Sequence, residues 1–156
     1  MSILPPELDY YAKINAALFP LQPGKKVPFP GFKWQDEASH DPARWQAWAS
    51  EFPGCNWAMY AAKSGLIVVD IDVKIGADAA WAEWCKVCAG WGMSEPMKPN
   101  VKTPSGGWHI YTKIPAGVDW RSLSQRGLVK GVIDIRANGY VLVPPSKIEG
   151  ESYVAC

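Results

Sequence analysis

The chain has 156 residues, 48% of them hydrophobic and 20% charged, with a formal net charge of +1, which indicates one globular domain and excludes disordered, collagen-like and coiled-coil proteins. No apolar run approaches the ~20 residues that a membrane-spanning helix needs, and the N-terminus lacks the pattern of a secretory signal. We therefore expect a cytoplasmic protein that makes no contact with a membrane.

Two helices precede the first strands in the predicted order of elements. Apolar residues recur at helical spacing over residues 7–19, and residues 20–33 are rich in proline and glycine, which predicts a loop. Asp41-Pro42 is typical of a helix start, with Asp as the N-cap, and Pro53-Gly54 ends that helix. Strands are then predicted over residues 56–61 and 66–72, followed by a helix over residues 76–88.

The C-terminal half is predicted to consist mainly of strands. Residues 90–105 are irregular, and residues 119–126 form a short helix. Asn138-Gly139 is a good turn for a hairpin, and Pro144-Pro145 ends the ladder because proline lacks an amide hydrogen. The strands of this half are expected over residues 107–113, 131–136 and 140–143. The order of elements predicts an α+β fold in which helices pack on a mixed sheet.

The charges are distributed unevenly along the chain. Residues 1–96 carry 8 Lys and Arg against 11 Asp and Glu, whereas residues 97–148 carry 8 Lys and Arg against only Asp119 and Asp134. This asymmetry suits a polyanionic partner held by the C-terminal half, and it is equally compatible with an ordinary solvated surface.

Cys85 and Cys88 form an isolated C-x2-C pair, with no second pair and no nearby histidine. A structural zinc site usually needs four ligands, so we expect no zinc. Both residues lie on one face of the helix predicted over residues 76–88. This placement favours core thiols in a reducing compartment.

An apolar strand that ends in two acids is the first candidate site. In a strand, Asp70 and Asp72 point to one face, whereas the apolar residues 67, 69, 71 and 73 point to the other. Two neighbouring carboxylates repel each other unless a cation lies between them, and oxygen ligands favour Mg²⁺ or Mn²⁺. The alternative is a solvent-exposed strand end with two ordinary surface acids.

Asp134 is a second acidic residue in the middle of an apolar strand, and Arg136 shares its face. Asp134 can be a structural partner of Arg136. If its strand lies beside the strand of Asp70 and Asp72, the three carboxylates converge. Three carboxylates on one sheet are typical of two-metal phosphoryl chemistry.

The segment Ser105-Gly106-Gly107-Trp108-His109 is the third candidate. The glycines offer backbone amides and permit the close approach that a phosphate cradle requires. His109 follows them on a predicted strand, on the same face as Tyr111 and Lys113. This arrangement suits contact with the phosphates of a nucleotide, although a lone strand histidine is often structural.

These three motifs, in this order, resemble those of the archaeo-eukaryotic primase superfamily. The closest likeness is to the N-terminal primase–polymerase (prim-pol) domain of phage and plasmid replication proteins. Further similar segments lie at residues 24–31, 41–57 and 139–146, so that the resemblance runs from about residue 10 to residue 148.

The resemblance implies an RRM-like catalytic sheet that binds two divalent ions, Mg²⁺ or Mn²⁺, and an incoming nucleotide. It implies DNA primase/polymerase activity, in which a nucleotidyl group is transferred from a (d)NTP to a 3′-hydroxyl on a single-stranded DNA template and pyrophosphate is released. The metal ligands would be Asp70, Asp72 and Asp134, and these residues with His109 would form the catalytic set. Nucleotide contacts are expected from Ser105, Gly106, Gly107, His109, Arg136 and Lys63. Candidate DNA contacts are Lys25, Lys26, Lys33 and Trp34, of which Trp34 is expected to be exposed and able to stack on a base.

The resemblance also implies a setting for the chain. Residues 1–156 would be one catalytic domain, the N-terminal part of a larger replication protein of a phage, plasmid or prophage, with a helicase domain or subunit as partner. Two other functions stay open: a non-catalytic module that binds single-stranded DNA or nucleotide, and a metal-dependent nuclease. A preference for dNTP or NTP cannot be derived from these residues.

Overall fold

The computed structural model describes residues 3–114, 117, 119 and 125–156. Its helices are α1 (Leu8–Lys13), α2 (Trp34–Glu37), α3 (Pro42–Glu51) and α4 (Ala77–Gly90), with a short 3-10 turn at Ala62–Ser64. Its strands are β1 (Leu18–Leu21), β2 (Asn56–Tyr60), β3 (Leu66–Ile71), β4 (Val101–Lys102), β5 (Trp108–Lys113), β6 (Gln125–Val129), β7 (Ile133–Arg136), β8 (Tyr140–Val143), β9 (Lys147–Ile148), β10 (Glu151–Ser152) and β11 (Val154–Ala155). Within the described residues, no helix has both the length and the apolar character to cross a membrane.

The strands form two sheets and one separate hairpin. The larger sheet has six strands in the order β11-β4-β5-β3-β7-β6, and the smaller has three in the order β1-β2-β8. β9 and β10 form the hairpin, and the strand pairs of the described residues are all antiparallel. The α+β fold predicted from the sequence is confirmed, but the sheet that was predicted to be mixed is antiparallel within the described residues.

Strand β3 lies inside the six-stranded sheet and separates two hydrophobic cores. Val69 and Ile71 belong to the core beneath α4. Leu66 and Val68 belong to the larger core, which contains buried residues of the three-stranded sheet and of α3. Because successive side chains of a strand alternate between its faces, Asp70 lies on the face of Val68, where the two sheets meet.

Helix α3 begins where the sequence predicts. Oδ1 of Asp41 accepts a hydrogen bond of 2.9 Å from the amide of Ala43, and Pro42 occupies the first helical position. The side chain thus satisfies one of the amides that a helix start leaves free, and proline lacks another. Helix α4 and strands β2, β3, β5, β7 and β8 also lie within two residues of their predicted bounds.

The helix predicted over residues 7–19 is wrong beyond Lys13. Asn15 adopts a left-handed conformation with φ of 56°, and Leu18–Leu21 then form β1, which pairs with β2. β1 is an edge strand, where Pro20 is tolerated because one side of the strand has no ladder to interrupt. Pairing with a strand about 40 residues away in sequence outweighs the helical spacing of the apolar residues.

The hairpin predicted at Asn138-Gly139 is also wrong. The preceding strand β7 pairs with β3 and β6 in the six-stranded sheet, whereas the following strand β8 pairs with β2 in the other sheet. The turn therefore carries the chain from one sheet to the other. Each strand fills a different core, since Ile133 lies in the core beneath α4 and Val143 in the larger core.

Several short strands were not predicted. β4 lies within the stretch expected to be irregular, and β9, β10 and β11 follow the prolines that were expected to end the ladder. Most of the short helix predicted over residues 119–126 lies outside the described residues, and its last two positions belong to β6.

Candidate active site

Asp70 lies opposite two other predicted site residues in the six-stranded sheet. On one side, its cross-strand partner on β5 is His109. On the other side, its partner on β7 is Asp134. Directly opposed residues of an antiparallel pair share a face and lie about 5 Å apart at Cβ. The strands of Asp70 and Asp134 are therefore neighbours, which was the condition for their carboxylates to converge.

Nitrogen atoms of Arg136 and His109 contact the two oxygens of the Asp70 carboxylate. Nε of Arg136 lies 3.0 Å from Oδ2, and Nε2 of His109 lies 3.5 Å from Oδ1. Nη2 of Arg136 also lies 3.9 Å from Oδ2 of Asp134. The other oxygen of Asp134 accepts a hydrogen bond of 2.6 Å from the amide of Gly127 on β6.

These contacts decide the charge of Asp70. Burial by itself would raise the pKa of this carboxyl group, but the hydrogen bond and charge of His109 and those of Arg136 outweigh burial. The pKa of Asp70 is therefore lowered, and the group is ionised at neutral pH.

His109 is buried, with a side chain that is only 6% exposed. Its Nδ1 has no hydrogen-bond partner in the described part of the chain. The ring of Tyr153 lies 6.0 Å from the His109 ring, with an angle of 34° between their planes. Buried polar atoms are rarely left unpaired, so Nδ1 is available to a ligand or to water.

Asp72 follows the end of β3 and is more exposed than Asp70. Its Oδ1 accepts a hydrogen bond of 2.8 Å from the amide of Lys74, and its Oδ2 lies 4.0 Å from the ammonium of Lys74. This local turn bends the carboxylate toward its own backbone. Asp72 nevertheless lines the same cavity as Asp70.

The predicted convergence of Asp70, Asp72 and Asp134 is not present in this arrangement. Among the described residues, no group of three or more His, Cys, Asp or Glu side chains is placed to hold a metal ion. The Arg136 guanidinium instead contacts both Asp70 and Asp134. The donor set nevertheless fits a divalent ion, because it consists of carboxylate oxygens and already attracts a cation.

The loop between β4 and β5 carries Ser105, Gly106 and Gly107. The amide of Gly106 donates to the carbonyl of Thr103, so it is not free as a phosphate cradle would require. A Cβ at Gly107 would overlap the carbonyl oxygen of Ile71, which shows that this glycine lets the loop pass close to β3. Ser105 lines the cavity over Asp70, and its hydroxyl lies 3.3 Å from that of Thr103.

Two adjoining cavities share Asp70. The first, of about 460 Å³, extends from Ser105 to Arg136 and is walled on its far side by the β9–β10 hairpin. The second, of about 380 Å³, extends toward Trp34 and Tyr140. The residues that line both are Lys26, Asp70, His109, Arg136 and Tyr153. Volumes of this size are typical of sites for small ligands.

The predicted basic and aromatic contacts lie in different places. Lys26 lines both cavities, whereas Lys25 and Lys33 are exposed and line neither. The ammonium of Lys63 donates to the carbonyls of Asp36 and Ala38, at 3.3 and 2.5 Å, and lies outside both cavities. Lys63 therefore links the end of α2 to the turn before β3 by hydrogen bonds. None of its contacts supports a role as a nucleotide ligand.

Trp34 differs from its predicted exposure. It is half-buried, with its ring stacked on Phe19 at 5.5 Å and in edge contact with Tyr60 and Tyr140 at 5.0 Å each. Its position in the Lys-rich loop indicated exposure, but α2 folds this loop against the three-stranded sheet. The part of Trp34 that lines the second cavity is what remains accessible.

The C-terminal segment brings three residues to the site that were not predicted from the sequence. Glu149 and Glu151 lie on the β9–β10 hairpin and line the first cavity, and Tyr153 lines both. Burial, and then the charge of Asp70, raise the pKa of Tyr153 to about 12, so that its hydroxyl is neutral at pH 7. The two-residue turn Glu149-Gly150 was the available signal for this hairpin.

The family model of the bifunctional DNA primase/polymerase N-terminal domain, Prim-Pol, matches residues 7–156. A search of curated proteins found no match.

Proposed function

Since the chain belongs to the Prim-Pol family of DNA primase/polymerases, we propose that the cavity over Asp70 is its nucleotidyltransferase active site. One observation supports this location above others: Asp70 is the direct cross-strand partner of both His109 and Asp134. Asp70 and His109 also line a cavity with Ser105. The family accounts for DNA and nucleotides as substrates. The assignment of particular residues rests on the three sequence motifs together with the contacts of Asp70, His109 and Arg136.

We assign Asp70, Asp72 and Asp134 as the ligands of divalent ions, Mg²⁺ or Mn²⁺. Bound ions of this kind lower the pKa of an attacking hydroxyl and offset the charge of the transferring phosphoryl group and its leaving group. The contribution of the chain is to hold carboxylate oxygens on two adjacent strands. The Asp70 carboxylate is kept ionised because its pKa is lowered.

The phosphates of the nucleotide would lie between Ser105 and Arg136. Arg136 lines the cavity with a side chain that is 45% exposed, and Lys26 lines the same cavity. Arginine binds phosphate with two parallel hydrogen bonds, and lysine supplies a point charge. His109 offers Nδ1 as a further donor when protonated there, since that atom has no partner among the described residues.

The second cavity suits a nucleobase. Trp34, Tyr140 and Tyr153 give it aromatic walls. The Tyr140 hydroxyl donates a hydrogen bond of 2.6 Å to the carbonyl oxygen of Lys26 and so holds the loop of Lys26 in place. Bases stack on aromatic rings without strong preference for sequence. Lys25 and Lys33 would then contact the backbone of single-stranded DNA outside the cavity.

Primer extension and de novo synthesis on single-stranded DNA, with labelled nucleotides and Mg²⁺ or Mn²⁺, test the proposal. The wild type should give metal-dependent products that disappear in Asp70→Asn and persist in Glu95→Gln, which replaces an exposed acid elsewhere. Metal-dependent cleavage of the DNA without synthesis would overturn the assignment in favour of a nuclease. Binding of DNA without any turnover, unchanged in Asp70→Asn, would overturn it in favour of a binding module.

A further inference from the structure

The Arg136 guanidinium occupies the position between two of the proposed metal ligands. Its Nε lies 3.0 Å from Oδ2 of Asp70, and its Nη2 lies 3.9 Å from Oδ2 of Asp134. The remaining oxygen of Asp70 faces His109, and that of Asp134 accepts from the amide of Gly127. Each oxygen of Asp70 thus already has a partner, and a divalent ion that binds this carboxylate meets the positive charge of Arg136.

The backbone register places Arg136 there. Asp70 and Asp134 are paired across β3 and β7, and Arg136 is two residues beyond Asp134 on the same strand. Residues two apart on a strand share a face, and diagonal neighbours across an antiparallel pair lie within reach of long side chains. The guanidinium therefore lies between the carboxylates because of the strand pairing.

Charge balance explains why a cation is needed at this position. Asp70 and Asp134 face each other on one partly buried surface, and two unpaired carboxylates there would repel each other. Asp72, Glu149 and Glu151 add further negative charge to the wall of the cavity. A divalent ion would satisfy the same carboxylates, but the guanidinium and the ion would repel each other if both lay at Oδ2 of Asp70.

We propose that Arg136 competes with the divalent ion for Asp70 and makes metal binding and nucleotide binding depend on each other. This inference rests on the proposed function. When an ion binds, Arg136 is released into the cavity that it already lines, where Ser105 and Lys26 also lie. A triphosphate gives the released guanidinium a new partner, whereas metal alone leaves it without one.

The site consequently selects the metal–nucleotide complex over either component. A free nucleotide meets a cavity with four carboxylates, Asp70, Asp72, Glu149 and Glu151, and finds Arg136 already paired. A free ion must displace a bound cation. When the ion and the nucleotide bind together, the ion offsets the carboxylate charge and the phosphates pair with Arg136. Linkage then requires that the ion and the nucleotide each tighten the binding of the other by the same factor.

Mn²⁺ titration of the whole chain tests the competition, with free Mn²⁺ followed by electron paramagnetic resonance. Without nucleotide, Arg136→Met should bind Mn²⁺ more tightly than the wild type by roughly fivefold, the effect of one partly exposed ion pair. Arg136→Lys should lie between them, because it keeps the charge but loses the planar fork. Arg126→Met is the matched control, since it removes an exposed arginine from the neighbouring edge strand.

The nucleotide dependence provides the second readout. Addition of a non-hydrolysable nucleoside triphosphate should tighten Mn²⁺ binding in the wild type and have a smaller effect in Arg136→Met. Circular dichroism checks the fold of each variant, and Arg136→Lys serves if Arg136→Met unfolds. Equal or weaker Mn²⁺ affinity in the folded Arg136 variants, with the wild-type response to nucleotide retained, would overturn the inference.

Asp70→Asn separates this inference from the proposed function. If Asp70→Asn abolishes Mn²⁺ binding while the Arg136 variants behave as wild type, the metal site stands and the competition is overturned. If the wild type binds no Mn²⁺ even with nucleotide, both the metal assignment and the competition are overturned.

Discussion

Asp70 and His109 are direct partners across β3 and β5, with Nε2 of the histidine 3.5 Å from Oδ1 of the aspartate. Arg136 holds the other oxygen of the same carboxylate at 3.0 Å. One carboxylate thus connects the motif on β3 with residues of both neighbouring strands. The consequences of this contact can be measured separately for stability and for nucleotide binding.

The stability contributed by Asp70 should depend on pH. Its pKa is lowered in the folded protein, so the contribution is complete above the ordinary carboxyl pKa of about 3.9 and is lost as the pH falls through the lowered value. Urea unfolding should show that Asp70→Asn is less stable than wild type at pH 7, with a difference that shrinks below about pH 4. Glu95→Gln gives the background, and a difference as large at pH 2 as at pH 7 would contradict the lowered pKa.

Replacement of His109 should weaken nucleotide binding. The side chain is buried, and its Nδ1 has no partner in the described residues, so a phosphate oxygen is a suitable acceptor. A hydrogen bond to a charged group contributes about 1.5–3 kcal/mol, which predicts a KM for nucleotide at least tenfold higher in His109→Gln. Steady-state primer extension measures this effect, and an unchanged KM with a lower kcat would point instead to a role in the chemical step.

Tyr153 should act through its ring and not through its hydroxyl. The ring lies 6.0 Å from that of His109 and lines both cavities, and the pKa of about 12 keeps the phenol neutral at pH 7. Tyr153→Phe should therefore retain nucleotide affinity, whereas Tyr153→Ala should lose it by opening the wall over His109. Fluorescence titration with a labelled nucleotide compares the two variants, and a loss in Tyr153→Phe as large as in Tyr153→Ala would refute a role for the ring.

Gly107→Ala should destabilise the fold and, through it, the site. A Cβ at this position would overlap the carbonyl oxygen of Ile71, and neither backbone can move without breaking the close passage of the loop past β3. Overpacking of this kind costs about 1–3 kcal/mol in the free energy of unfolding. Gly90→Ala is the control, because its Cβ meets open space at the end of α4 and should be neutral or stabilising.

Lys26 and Lys63 should give opposite results, although both are exposed lysines near the N-terminal loop. Lys26 lines both cavities, whereas the ammonium of Lys63 donates to the carbonyls of Asp36 and Ala38. Lys26→Met should lower nucleotide affinity with little effect on thermal stability, and Lys63→Met should lower stability with little effect on affinity. Calorimetry of both variants checks the contrast, which fails if Lys63→Met weakens nucleotide binding at unchanged Tm.

The parts of the fold that could be predicted from the sequence are those whose residues carry their own pattern. The apolar run before Asp70 indicated β3, and the alternation around Asp134 indicated β7. The two-residue strands β9, β10 and β11 are too short to show any period, so the hairpin with Glu149 and the position of Tyr153 were missed. The turn sequence Asn138-Gly139 is compatible both with a hairpin of paired strands and with a connection between strands of two sheets, so the sequence does not distinguish the two.

The sequence by itself determined the residue types of the site, the order of its three motifs and the face on which each side chain lies, because strand periodicity is a property of each segment. Only the tertiary structure decided that Arg136 and His109 bind the two oxygens of Asp70, that Gly107 serves close packing, and that Lys63 lies outside the site. Those contacts depend on which strands pair and in what register. Pairing and register are selected by the packing of two hydrophobic cores, whose residues lie far apart in the chain.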